Sequence, residues 1–378
     1  TLTTLETPNA NLTGRVLLKS GGSTLALNGR LADAALLLPQ VSGPIQLTAE
    51  AQEDASRLWT WNAQVAMDRT RLDATGTARD VFTLPIIAGN GRLEAERLAD
   101  FAELAGRPLE GAIATNFSGE MVSDLSRAAL KLSGTGTDVK SGIGQADALL
   151  EGNVAFDIRL AKSGEAVLLE QSTVEGPQVS LIAEGALIGE GSRFDVSGRI
   201  TNASRLLTGA PQGALSFDTS GKQDGRDWLV AATANGPDVA LDLEGNVLDP
   251  VGAPGLDGTV TASAGDLTIF SDLASRPISG QVNLTAEGSA LADLSAFDVQ
   301  ATATGQGLSI GMAEIDRLLA GALSADIDAK RQGTDITVRT ANLSPDLLNV
   351  TAQGALGREA RALQLEARLA NVAAFVDG

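Results

Sequence analysis

Hydrophobic and polar residues alternate with a period of two along most of this chain. Val239, Leu241 and Leu243 interleave with Ala240, Asp242 and Glu244, and Val282, Leu284 and Ala286 interleave with Asn283, Thr285 and Glu287. The same alternation runs through residues 215–218, 297–301, 323–329 and 363–367, which predicts strands with one apolar face. Clusters such as Lys162-Ser163-Gly164 and Gln332-Gly333-Thr334-Asp335 separate the runs at spacings of roughly 8 to 12 residues, as antiparallel hairpins do. At about 11 or 12 residues per strand and turn, on the order of 30 strands are expected. Helical signals are short: residues 313–320 before Gly321, 202–208 before Gly209, and 98–105 before Gly106.

A longer period overlies this one. Asp147-Ala148-Leu149-Leu150-Glu151-Gly152 aligns with Asp316-Arg317-Leu318-Leu319-Ala320-Gly321, and 316 − 147 = 169. At the same offset Arg107-Pro108-Leu109-Glu110-Gly111 aligns with Arg276-Pro277-Ile278-Ser279-Gly280, Asp124-Leu125-Ser126 with Asp293-Leu294-Ser295, and Trp59 with Trp228. A fixed register of this kind marks repeated structural units. The organisation expected is the end of a preceding unit over 1–34, long units over 35–203 and 204–372, and the start of another over 373–378.

Strands with one apolar face need cover, and helices this short cannot supply it. The repetition predicts an all-β chain: an elongated, continuous antiparallel sheet folded into a repeating groove, or β-taco, with short helical turns between repeats. Its inward side chains are expected to be Val154, Phe156, Ile158, Val179, Leu181, Ala183, Leu215, Phe217, Val239, Leu241, Leu243, Val282, Leu284, Ala286, Phe297, Val299, Leu323, Ala325, Ile327, Ile336 and Val338. Such a lining offers dispersion contact without hydrogen-bond specificity, which suits alkyl chains. At about 0.8 kcal/mol per buried methylene, phospholipid acyl chains could recover much of the cost of leaving a bilayer. A structural or adhesive surface β-solenoid with a sealed core is the other reading of the same repetition.

Composition narrows the chemistry. The chain has no Cys, no His and no Tyr, so a Ser-His-Asp triad, a thiol nucleophile and the usual zinc ligand sets are all excluded. Its net charge of −19 repels nucleic acid, while a hydrophobic fraction of 43% is that of a folded protein. No run of residues is long and apolar enough for a membrane helix. No enzyme, cofactor or metal site is expected. Asp326 with Asp328 reads as a solvated strand face, and Asp218, Asp224 and Asp227 read as turn chemistry. Gly134-Thr135-Gly136 and Gly305-Gln306-Gly307 read as strand ends rather than phosphate cradles. Trp59 and Trp228 either touch lipid or fill equivalent packing slots. Arg107 and Arg276 either position a turn before Pro or guide headgroups.

The repeated strands, the Leu-Leu-x-Gly turn at 318–321 and the Arg-Pro-Leu/Ile-x-Gly turns at 107–111 and 276–280 resemble the middle repeats of the TamB family, alphaproteobacterial type, and more distantly AsmA-like proteins. The resemblance covers essentially the whole chain. It implies a β-taco in the periplasm that carries phospholipid between inner and outer membranes and supports outer-membrane biogenesis. It further implies an anchor in the bacterial inner membrane and a barrel partner in the outer membrane, TamA. The anchoring helix and the docking domain of such proteins are missing from these residues, and the chain reads as part of a longer protein.

Overall fold

A computed structural model describes every residue except 1, 20–21, 37–39, 189–190, 206–211, 250–253, 320, 346–347, 358–360 and 370–378. The chain forms two compact units, Thr1–Ser192 and Arg193–Gly378. The first holds β1 (Leu2–Thr7), β2 (Ala10–Leu17), β3 (Thr24–Leu31), β4 (Ile45–Glu53), β5 (Trp59–Met67), β6 (Thr70–Arg79), β7 (Ile86–Ala95), β8 (Glu110–Val122), β9 (Arg127–Lys140), β10 (Asn153–Ser163), β11 (Ala166–Glu175) and β12 (Val179–Ile188). The second holds β13 (Arg193–Ile200), β14 (Leu215–Asp224), β15 (Asp227–Asn235), β16 (Val239–Leu248), β17 (Gly255–Ala264), β18 (Ser279–Leu291), β19 (Ala296–Ser309), β20 (Ala322–Gln332), β21 (Asp335–Pro345), β22 (Leu348–Leu356) and β23 (Arg361–Leu369).

Within each unit every strand pairs antiparallel with its neighbours in sequence. The protein is all-β, 67% strand and 9% helix, and its sheet does not close into a barrel. So little helix leaves sheet surface uncovered. The accessible surface is 22606 Å², against about 14,000 Å² expected for a compact chain of this mass.

The described strands number 23 rather than the expected 30 or so, because strands run through segments that read as turns. Gly134-Thr135-Gly136 lies inside the fourteen-residue β9, and Gly305-Gln306-Gly307 lies inside β19, also fourteen residues long. Elements recur at the long spacing: β8 and β18 both have thirteen residues and begin at 110 and 279, and 279 − 110 = 169. The 3-10 turns Leu98–Phe101 and Leu267–Phe270 share that offset.

In a meander, successive connections fall on alternate long edges. Helical turns follow β3, β7 and β9 in the first unit and β13, β17 and β19 in the second. All are odd-numbered strands, so within each unit the helical turns share one edge, the helical rim, and the hairpins that follow even-numbered strands share the other, the hairpin rim. Among the described residues most buried apolar side chains gather at the helical rim: Leu31, Ala34, Val41, Ala95 and Leu98, then Val154, Val179, Ile200 and Ala264; Ala74 lies in mid-strand and Val122 at the hairpin rim. Full burial of a Leu, Val or Ile is worth about 1.5–3 kcal/mol, which is how turns of three to seven residues stay docked. Gly106, at φ 65, ends the turn Ala102–Ala105 and donates to Ala102 and Glu103 carbonyls. Ser275 takes the same left-handed cap at φ 54 in the second unit.

Arg107 and Arg276 donate their backbone N–H groups to the Ala102 and Ser271 carbonyls, each at 3.2 Å, closing these helical turns. Part of the expected helix at 202–208 is the turn Ala203–Arg205; residues 206–208 and Gly209 lie outside the described residues.

The β8–β9 and β18–β19 hairpins turn on residues that disfavour their backbone. Leu125 and Leu294 sit at φ 58 and 55, a region that costs a branched, bulky residue about 1–2 kcal/mol. Their side chains are exposed, so no packing compensates. Leu294→Asn, which tolerates this backbone, is expected to stabilise the second unit by about 0.5–1 kcal/mol, read as a raised urea midpoint. A lowered midpoint would mean that the Leu294 side chain has a packing role.

Candidate functional site

Facing residues of paired strands project from the same side of a sheet. In the second unit one such row runs Gly198, Phe217, Ala234, Leu241, Ala262, Leu284, Ala303, Ala325, Leu343, Val350 and Ala367, crossing every strand from β13 to β23. Its neighbour runs Val196, Thr219, Ala232, Leu243, Val260, Ala286, Ala301, Ile327, Ala341, Ala352 and Leu365. One residue along each strand, the opposite face reads Asp218, Thr233, Asp242, Thr261, Thr285, Thr302, Asp326, Asn342, Thr351 and Glu366. The first unit repeats the division, with Leu47, Val65, Leu72, Leu93, Thr115, Gly134, Phe156, Val174 and Leu181 in register.

Every residue expected to line the groove falls on the apolar face of its own unit. Val154 and Val179 are buried under the helical rim, whereas Leu241 and Ile327 are 37% and 46% exposed. Most of the others are half-buried. No large side chain among the described residues is fully buried. Toward the hairpin rim the same face leaves Val16, Leu25, Met121, Leu130, Leu356 and Leu363 exposed. The groove wall is thus closed at one rim and bare at the other.

Sequence reasoning missed the alanine and glycine strands that complete these rows. Gly245, Gly258 and Gly288 face one another across β16, β17 and β18. A Cβ on Gly258 would lie 2.1 Å from the Glu244 carbonyl oxygen and 2.5 Å from the Gly245 Cα. Gly76, Gly89 and Gly119 do the same in the first unit, where the Trp61 ring covers Gly76 and Gly89. These glycines form a crease in which neighbouring backbones approach too closely for any side chain. The Trp61 indole N–H is buried there without an acceptor, so the ring serves as an apolar plate. Trp59 and Trp228 both belong to the apolar face near the hairpin rim, and Trp228 packs on Phe194 with ring centroids 5.6 Å apart.

The polar face carries the charge. Asp298 on β19 accepts from Lys330 at 3.0 Å and pairs with Arg339, which also bonds Asp328. These cross-strand bonds brace the outer face around the β20–β21 bulge. Bonds from Arg339 and then Lys330 hold the Asp298 carboxyl down at about 2. A lowered folded-state pKa contributes stability above the unfolded value of about 3.9, and that contribution is lost as pH falls through about 2. An NMR titration should place the Asp298 midpoint near 2, with Arg339→Gln moving it up toward the ordinary carboxylate range. An unchanged midpoint in that variant would dismiss the brace.

Among the described residues no group of three or more acidic side chains converges as a metal site, and no helix is long and apolar enough to cross a membrane. Compared with protein-family models, curated proteins and solved structures, the chain matches none.

Proposed function

We propose that this chain is a non-enzymatic conduit for phospholipid acyl chains, which travel along the apolar face. The observation that carries the reading is the apolar row of the second unit, uninterrupted from Phe217 to Ala367, half-exposed and, among the described residues, without a covering layer. A surface of this kind would normally be buried in a soluble monomer. Alanine, valine and leucine in repeating rows offer many equivalent positions to a methylene chain, so a bound tail can slide without crossing a polar barrier. The absence of a fully buried large side chain among the described residues favours an open wall over the sealed core of an adhesive solenoid. The resemblance to the TamB family extends the reading to the periplasm, to lipid traffic that supports outer-membrane biogenesis, to an inner-membrane anchor and to TamA as outer-membrane partner.

The test uses photo-crosslinking residues at Leu284 and Ile327 on the apolar face and at Asn283 on the polar face, in cells. Phospholipid adducts are expected at the first two positions only. Equal capture at position 283 would sink the conduit.

A further inference from the structure

By register the apolar face of the second unit carries two arginines in one row, Arg331 of β20 and Arg361 of β23. Arg331 pairs with Phe297 of β19 and with Ile336 of β21, in the row nearest the hairpin rim. The neighbouring positions in its row are Ala290, Leu256, Val247 and Trp228. In a chain of net charge −19, a guanidinium between Phe297 and Ile336 in an oily row is anomalous. Left unanswered, it weakens the apolar surface.

Its surroundings supply only part of an answer. Nε donates to the Gly333 carbonyl at 2.8 Å, and the two terminal nitrogens have no acceptor among the described residues. A rim carboxylate, Asp293, senses the Arg331 charge but accepts instead from the Ser295 N–H at 2.9 Å. A hollow of about 350 Å³ at this rim takes Leu256, Ala290, Phe297 and Arg331 from the apolar face, and Leu248, Leu291, Asp298 and Lys330 from the opposite face. The equivalent residue of the first unit is Lys162, since 331 − 169 = 162, and its ammonium is already shared between the Leu125 and Gly164 carbonyls at 3.0 and 2.7 Å. The two units therefore differ: one cation is satisfied by the fold and the other keeps donors to spare.

We infer that Arg331 is a headgroup subsite: it holds the phosphate of an anionic amphiphile at the hairpin rim while the chain lies on the apolar rows. This rests on the conduit reading and adds polarity to it. The guanidinium fork suits a phosphate oxygen pair. From Arg331 to Leu323 the apolar positions of β20 span eight residues, about 26 Å of strand, enough for an extended tail. The helical rim cannot take the headgroup, because Ile200 and Ala264 are buried there.

The experiment incubates the full chain with vesicles containing phosphatidylglycerol and a diacylglycerol of the same acyl chains, then measures by mass spectrometry which is retained. Wild type is expected to favour phosphatidylglycerol by about tenfold, the worth of one charge-assisted bond pair. Arg331→Gln should bring the ratio close to unity, while Arg331→Lys retains part of it. Lys222→Gln on the polar face and Lys162→Gln should leave it unchanged, with strand content checked by circular dichroism in each. Retention of both lipids with an unaltered ratio in Arg331→Gln overturns the subsite and leaves the conduit standing. Absence of either lipid from wild type overturns the conduit and the subsite with it. Inorganic phosphate in large excess should not displace phosphatidylglycerol; full displacement would reassign Arg331 to free phosphate and overturn the amphiphile.

Discussion

Gly258→Val is expected to destabilise the second unit by about 3 kcal/mol or more, at the upper end of what overpacking costs. The new Cβ would stand 2.1 Å from the Glu244 carbonyl oxygen and 2.5 Å from the Gly245 Cα. Both are backbone atoms of a paired strand, so no side-chain rotation relieves the clash and the β16–β17 ladder must part. For a unit of this size the loss corresponds to roughly 6–12 °C in melting temperature. Gly225→Ala is the contrast, since a Cβ there meets nothing within 4 Å and the cost comes only from its φ of 62. A melting temperature for Gly258→Val within a degree of wild type would mean that the crease is not a close approach of backbones.

The second large effect concerns lipid. Ala303→Asp places a carboxylate in the middle of the row that faces Leu284 and Ala325, and a hydrocarbon chain crossing it must strip water from a charge. Capture at a photo-crosslinker on Leu284 should fall at least tenfold, a change of about 1.4 kcal/mol in affinity. Thr302→Asp adds the same charge one residue away on the outer face, opposite Thr285 and Asp326, and should leave capture intact. Parallel losses in the two variants would show that net charge, rather than the oily row, controls uptake.

How much of this was legible in the sequence depended on contrast between neighbouring side chains. Strands such as β16 and β18 announce themselves, because Val and Leu alternate with Asp, Glu and Asn. β17 does not: Gly255 to Ala264 alternates alanine, valine and glycine with threonine, serine and aspartate, a pattern with weak amplitude. The crease is not visible in the sequence, because only cross-strand pairing shows Gly245 opposite Gly258. Nothing in the sequence marks Arg331, since the face to which it belongs follows from register, which local sequence does not contain. The helical turns were visible near 98–105 and 313–320, but their shared rim depends on counting strands.

That count also restricts how such a chain can change length over evolutionary time. Because direction alternates from strand to strand, deleting or duplicating one strand would reverse every later strand and carry its helical turns to the far edge. Gains and losses must therefore come in even steps. The ten strands that separate β3 from β13 and β8 from β18 satisfy this parity.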